Sequence, residues 1–245
     1  MIIDSHVHAG RADGLTHSWN TFEDIEVSID RMDRCGIDRA IVLPIGTTDF
    51  DVRNRQTAAI CRRYPDRLNG LAKLSQVEDD DRAEALLDEA FGELGLVGLK
   101  LHGQPSRAIM DALNRHRRPL LADVYGKVYP LRHIAEQYPD IPLIIAHMGQ
   151  FCTTDNPGAR MATLWLAQRY PNVYFDTSSV ADHEWLERAV REGLAGKMIF
   201  GSDGPVLHSG VELARIKYLD LTDDQRAGVL CNTAARLYGI GDGGR

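Results

Sequence analysis

The sequence predicts a single α/β domain of the (β/α)8 TIM-barrel class. Three observations carry this reading: eight short apolar runs recur along 245 residues, amphipathic stretches of helical period separate them, and polar residues gather where the runs end. The runs are Met1–Ser5, Ala40–Pro44, Leu68–Leu74, Leu96–Leu101, Leu120–Val124, Leu143–Ala146, Val173–Phe175 and Met198–Phe200. Each is too short for a helix and is bounded by turn residues, so each reads as a buried strand. Eight strands, each followed by a helix, in about 250 residues is what such a barrel requires. An open doubly wound sheet is the competing arrangement, but its Gly-rich first turn is absent and the first strand runs into His-Ala-Gly.

The intervening segments justify themselves in order. Tyr64-Pro65, Tyr138-Pro139 and Tyr170-Pro171 each stop a helix, because the residue before proline disfavours α geometry. Arg82–Leu94 places Ala83, Leu86, Leu87, Ala90, Phe91 and Leu94 on one face, with acidic residues opposite. Asn156-Pro157 opens another helix with proline in its first turn. His183–Gly193 groups Trp185, Leu186, Ala189 and Val190 in the same way. No linker, repeat or low-complexity segment divides the chain, so residues 1–240 form one domain and 241–245 a short flexible tail.

Composition narrows the function classes. Lys plus Arg total 28 and Asp plus Glu 35, a net charge of −7, which disfavours a nucleic-acid partner. No apolar run nears the roughly 18 residues needed to span a bilayer, so no membrane association is expected. The start MIIDSHVH lacks a basic segment and predicts no signal peptide. Cys35, Cys61, Cys152 and Cys231 are dispersed, as in reduced thiols of a cytoplasmic protein.

In a parallel barrel the active site lies at the C-terminal ends of the strands. There the sequence puts His6 and His8, two residues apart and able to offer imidazole nitrogens to one point. Strand 4 ends in Lys100-Leu101-His102, strand 5 in Asp123, strand 6 in His147, strand 7 in Asp176 and strand 8 in Asp203. Taken singly, a strand-end His is more often a satisfied polar residue, Asp176 could cap the next helix, and Lys100 could pair with a carboxylate. Together, ions and imidazoles converging at one mouth are accounted for by a metal ion and a polar ligand. His17 and His208 fall in loops on the same face, with Trp19, Arg53, Tyr125 and Phe151; His116, His133 and His183 read as surface or packing residues. His208 and Tyr125 are candidates to touch substrate. Arg53 is placed to clamp an anionic group, although a solvated arginine at a helix start is the simpler account. The short loops predict an open pocket for a small molecule.

DSHVH, GLKLHG, LIIAHMG, VYFDTSS, IFGSDGP and CNTAARLYGI, in this order, resemble the amidohydrolase superfamily, within it the short amidohydrolase-related barrels. The resemblance covers nearly the whole chain and implies a slightly distorted TIM barrel with one or two divalent metal ions, most often zinc or manganese. It implies hydrolysis of amides, esters or lactones by a metal-activated water, or loss of CO2 from unsaturated carboxylic acids. Position by position, His6 and His8 would be ligands, Asp203 a ligand and proton acceptor, and His147 a group polarising the substrate, or a ligand if two metals bind. Many relatives end strand 5 with a ligating His; here Asp123 stands in that place, either as a substituted ligand or with that ligand lost. Lys100 is a bridging carbamate in some relatives. Here the ammonium reading is favoured, holding a substrate carboxylate or a developing oxyanion, with His102 as hydrogen-bond partner. The expected function is therefore metal-dependent hydrolysis of a small carbonyl compound, with a nonoxidative decarboxylase as the first alternative and a catalytically degenerate, ligand-binding barrel as the second. Barrels of this kind are often dimers, so a homodimer is the assembly implied.

Overall fold

Alternate residues of each strand meet two different surroundings, and this places the site. In the computed structural model, which describes residues 1–11, 22–45, 49–153 and 156–241, the chain opens with β1 (Ile3–Arg11), β2 (Phe22–Glu23), α1 (Ile25–Cys35), β3 (Arg39–Pro44) and α2 (Phe50–Arg63). It continues through β4 (Leu68–Lys73), α3 (Ala83–Asp88), β5 (Gly98–His102), α4 (Arg107–His116), β6 (Leu120–Asp123) and α5 (Leu131–Gln137). Next come β7 (Leu143–Ile145), α6 (Pro157–Arg169), β8 (Val173–Asp176), α7 (Glu184–Arg191) and β9 (Met198–Ile199). The chain closes with α8 (Ser209–Lys217), α9 (Asp223–Ala227) and α10 (Thr233–Tyr238). The sheet order is β2-β1-β3-β4-β5-β6-β7-β8-β9. β2 lies antiparallel to β1, and all other neighbours are parallel. The chain beyond β9 returns to β1: Ser5 N donates to Phe200 O (2.9 Å), Asp203 N to His6 O (2.7 Å) and His8 N to Gly204 O (2.6 Å). This is the (β/α)8 barrel, slightly distorted, with one short extra strand.

Outward residues such as Val42, Ala72, Leu99, Leu101, Leu120, Ala122, Ile145 and Phe175 pack in one core beneath the helices. Ile3, Ile41, Leu71, Leu121, Ile144, Tyr174 and Ile199 form a second cluster inside the barrel, closed from below by Leu237, Tyr238 and Ile240. One step further along three of these strands the inward position becomes polar: Lys73 follows Leu71, Asp123 follows Leu121 and Asp176 follows Tyr174. On β1 the step needs a register shift between Asp4 and Val7, after which His6 and His8 share the face of Ile3 while Val7 and Ala9 join the outer core. A bulge adds one residue and so reverses the alternation.

The Tyr-Pro stops lie where the sequence places them, with Tyr64, Tyr138 and Tyr170 as C-terminal caps, and the Asn156 side chain caps α6 by accepting from Ala159 N. Strand 1 is longer than its apolar run, extending through both histidines to Arg11. The segment read as one helix over Arg82–Leu94 has a π-helical turn at Glu89–Glu93 after α3. His17, Trp19 and residues 242–245 of the predicted tail lie outside the described residues.

Barrel closure makes a demand on Gly201, where an added Cβ would lie 2.9 Å from His6 Cβ. Both backbones are fixed by the closing hydrogen bonds, so neither can give way freely. Gly201→Ala is expected to destabilise the fold by about 1–3 kcal/mol, read from the urea midpoint, and to weaken metal retention by displacing His6. An unchanged midpoint would show that the seam is looser than described.

Candidate active site

The sequence-predicted residues His6, His8, Lys100, His102, Asp123, His147 and Asp203 face one mouth of the barrel. At its centre is Asp176, fully buried at the end of β8. Its Oδ2 accepts from His6 Nδ1 (2.7 Å). Its Oδ1 accepts from His147 N (2.8 Å), Ser178 Oγ (2.7 Å) and Ser178 N (3.2 Å). Burial alone would raise this carboxyl, but the His6 imidazole outweighs it and the group sits at about 2.

These partners fix tautomers. A carboxylate only accepts, so the His6 proton is on Nδ1 and its Nε2 presents a lone pair. The Ser178 carbonyl, 3.2 Å from His147 Nδ1, and the hydroxyl at 2.9 Å set His147 in the same state. His8 Nδ1 faces the Pro44 carbonyl at 3.4 Å, again leaving Nε2 as the lone pair. His6 Nε2 lies 3.3 Å and His8 Nε2 3.2 Å from the same oxygen, Asp203 Oδ1. His6 Nε2 is buried and has no hydrogen-bond partner among the described residues. Two lone pairs aimed at a carboxylate oxygen repel one another unless a cation lies between them. Protonating the rings is opposed, since burial lowers both imidazoles below their ordinary value. The donor atoms of His6, His8 and Asp203 all lie within 4.8 Å of one another, a set of two nitrogens and one oxygen that suits a divalent metal. His6, His147 and Asp176 form a second set of this kind, although its members are already hydrogen-bonded together.

Backbone strain aims two of the side chains. His147 (φ 56°) and Met148 (φ 48°) are left-handed, as is Asp203 (φ 58°), a conformation that costs about 1–3 kcal/mol in a non-glycine residue. Around His147 the turn is held from α6. The buried Arg160 guanidinium donates to His147 O and to Gln150 O, and Thr163 Oγ1 donates to Met148 O (3.0 Å). Gly149 (φ 94°) completes the turn, where a Cβ would meet Val128 Cγ2 at 2.3 Å. Asp203 is anchored by its own amide on His6 O and by Ser179 Oγ, which donates to Oδ2 (3.1 Å). Burial raises the Asp203 carboxyl, but its close neighbours His8, His6 and His147 act in the opposite sense and leave it well below the usual range.

Asp123 belongs to neither metal-spaced set among the described residues. Its Oδ2 stands 3.8 Å from both His102 Nε2 and His147 Nε2, and its Oδ1 accepts from Tyr125 N (3.1 Å). Tyr125 is 61% exposed and stacks on His102 (5.9 Å), and Phe151 meets the His147 ring edge-on (5.3 Å). Lys100 is fully buried, and its Nζ has no hydrogen-bond partner. Two of the loop candidates are engaged elsewhere. His208 is exposed and caps α8, its Nδ1 accepting from Gly210 N (3.1 Å). Arg53 is half-buried in the first turn of α2, with Nη1 3.5 Å from Gln56 Oε1.

Sequence reasoning passed over Lys73, at the end of β4. It is 6% exposed, and burial and then the Lys100 charge lower its ammonium to about 7. The available signal was its inward parity with Leu71 at a strand end. Asp4 was read only as part of a motif; it is buried, accepts from Ser202 N (2.9 Å) and Ser202 Oγ (2.5 Å), and is raised by burial to about 7.

An amidohydrolase family model matches residues 3–240. A search of curated proteins finds no match. Among solved structures, 2,6-dihydroxybenzoate decarboxylase from Rhizobium superposes with a TM-score of 0.75 at 16% identity, covering 98% of each chain. A candidate 2-pyrone-4,6-dicarboxylic acid hydrolase from Pseudomonas putida gives 0.75 at 19% identity, covering 97% of each. A dihydroxybenzoic acid decarboxylase from a Polaromonas species, with bound manganese and 2-nitroresorcinol, gives 0.73 at 16%, covering 98% of this chain and 97% of that one. At these identities the likeness establishes the fold. No described helix is long and apolar enough to cross a membrane.

Two outcomes follow from these environments. Asp176→Ala leaves the His6 and His147 donors without their acceptor. It is expected to cost about 3–5 kcal/mol of stability and about 10–100-fold in metal affinity, read by urea unfolding and metal titration; wild-type metal affinity would remove its orienting role. For Lys73 the folded state releases its proton near pH 7, whereas the unfolded chain holds it to about 10.5. The burial penalty is therefore fully present below pH 7 and is relieved as pH rises from 7 toward 10.5. Lys73→Met should stabilise the protein more at pH 7 than at pH 9, by a difference of about 2–3 kcal/mol; a pH-independent difference in the urea midpoints would contradict this.

Proposed function

Because the chain belongs to the amidohydrolase family, we propose that it is a metal-dependent hydrolase of a small carboxylated carbonyl compound: a lactone, ester or amide. The observation that carries the reading is the confrontation of His6 Nε2 and His8 Nε2 with Asp203 Oδ1, the first of them buried and without a hydrogen bond. These three residues would hold the ion. When bound, such an ion acidifies water, from a pKa of 15.7 to about 7, and polarises a carbonyl oxygen.

The chain's own groups supply the rest. Asp176 orients His6 through Nδ1, and Asp203 keeps an ionised carboxylate at the site of proton removal, with Oδ2 steadied by Ser179. In this reading Asp203 accepts the proton of the attacking water and returns it to the leaving group. His147, whose Nε2 is a lone pair, serves as a second acceptor on the β7 side of the mouth, or polarises the carbonyl once it carries that proton. Burial lowers the Lys100 ammonium and the carboxylates of the mouth oppose that; in its protonated form it neutralises anionic charge on the substrate. Asp123 sits between His102 and His147 and sets the orientation of both rings rather than ligating. Zinc and manganese both suit a set of two imidazoles and one carboxylate, and a Polaromonas relative of the same fold holds manganese.

Nonoxidative decarboxylation is the second reading, favoured by structural neighbours that are decarboxylases of dihydroxybenzoates and 5-carboxyvanillate. Protein loaded with manganese or zinc, incubated with small carboxylated lactones, esters, amides and aromatic carboxylic acids, separates the two. Acid release without CO2 is the expected outcome, and CO2 release would transfer the assignment to the decarboxylase. Asp203→Asn should fold normally and lose about 10³-fold or more in turnover. Wild-type turnover in that variant, or in metal-stripped protein, would sink the mechanism.

A further inference from the structure

β4 and β5 run in register with Lys73 beside Lys100, and both side chains enter the barrel mouth. Lys100 Nζ is fully buried and unpartnered. The Lys73 ammonium lies over the Phe50 ring, 5.2 Å from its centroid. Among the described residues neither lysine forms an ion pair, and the carboxylate on the next strand, Asp123, is turned toward His102, His147 and Tyr125 N. Asp123, Asp176 and Asp203 act on Lys100, and Asp123 on Lys73, only through space, and two neighbouring buried ammonium groups with no carboxylate in direct contact are an unfavourable arrangement. A carboxylate from outside the chain would supply the direct partner that the described residues do not.

We propose that Lys73 and Lys100 form a two-ammonium clamp for a carboxylate of the substrate, with Lys73 as a residue that determines specificity. The proposal rests on the reading of this mouth as a substrate site and supplies the anchor that the reading leaves open. Two adjacent N–H donor groups match the two oxygens of a carboxylate. Asp123, Asp176 and Asp203 line the same mouth and disfavour a more highly charged anion such as phosphate. The groups facing Lys73 are Lys100 on β5, Asp123 on β6, His102 at the end of β5, His8 on β1 and the Phe50 ring of α2. Burial holds both histidines below their ordinary value. Burial lowers both Lys73, to about 7, and Lys100, so the clamp loses positive charge as pH rises, with Lys73 changing across neutral pH.

The test is calorimetric titration at pH 6.5 of the full chain, manganese-loaded and metal-stripped in parallel, with benzoate, benzamide and inorganic phosphate. Benzoate should bind at least about tenfold tighter than benzamide or phosphate. Lys73→Met should reduce benzoate affinity by about tenfold or more in both metal states while leaving benzamide unchanged. As a check that needs no variant, wild-type affinity for benzoate should fall between pH 6.5 and 9, with proton uptake on binding. Equal affinity for benzoate and benzamide, benzoate binding indifferent to Lys73, or a flat pH profile would overturn the clamp. Phosphate bound more tightly than benzoate would overturn the carboxylate assignment. Binding by metal-stripped protein is read without turnover, so the clamp stands or falls separately from the hydrolytic reading.

Discussion

The buried carboxylate of Asp176 is the interaction on which the rest of the site depends. It gathers the His6 ring, the His147 amide and both donors of Ser178, and so ties β8 to β1 and to the strained turn after β7. An ion at zero exposure is tolerable only when its lone pairs are filled, and here four donors fill them. The same contacts decide on which nitrogen His6 carries its proton, and Ser178 decides it for His147. Both rings therefore turn an unprotonated Nε2 into the mouth. A change at Asp176 therefore alters the electronic state of rings that face the mouth.

Strain and closure support this arrangement from outside. The left-handed conformation at His147 and Met148 persists because Arg160 and Thr163 of α6 hold their carbonyls. That at Asp203 persists because its amide closes the barrel on His6. The fold thus spends conformational energy at the two strand ends that present His147 and Asp203 to the mouth. The apolar floor of Ile3, Ile41, Leu71, Leu121, Ile144 and Ile199 is what keeps these ends rigid.

Much of this was legible in the sequence, for a physical reason. A barrel strand is apolar until its inward residues reach the mouth, so polar residues ending a short apolar run are site residues by position. His6, His8, Lys100, His102, Asp123, His147 and Asp203 were all identified this way. Lys73 escaped because Leu74 follows it, so the run seemed to continue past the lysine as an apolar strand. The bulge in β1 was invisible because it shows only as pairing with β3. Asp176 was noticed, but its four donors come from three separate parts of the chain and cannot be seen locally. His208, whose place after GSDGP suggested contact with substrate, also caps α8 through Nδ1, a use of the ring that its position in the sequence did not reveal.

The closing of the barrel floor by the C-terminal helix has a kinetic consequence. Leu237, Tyr238 and Ile240 plug the end opposite the polar residues, and Tyr238 is 1% exposed. With that end closed, the reactant and product of the proposed reaction would share the mouth at the C-terminal ends of the strands. Product would then compete with substrate for that one passage, and its departure would bear on the rate of each cycle.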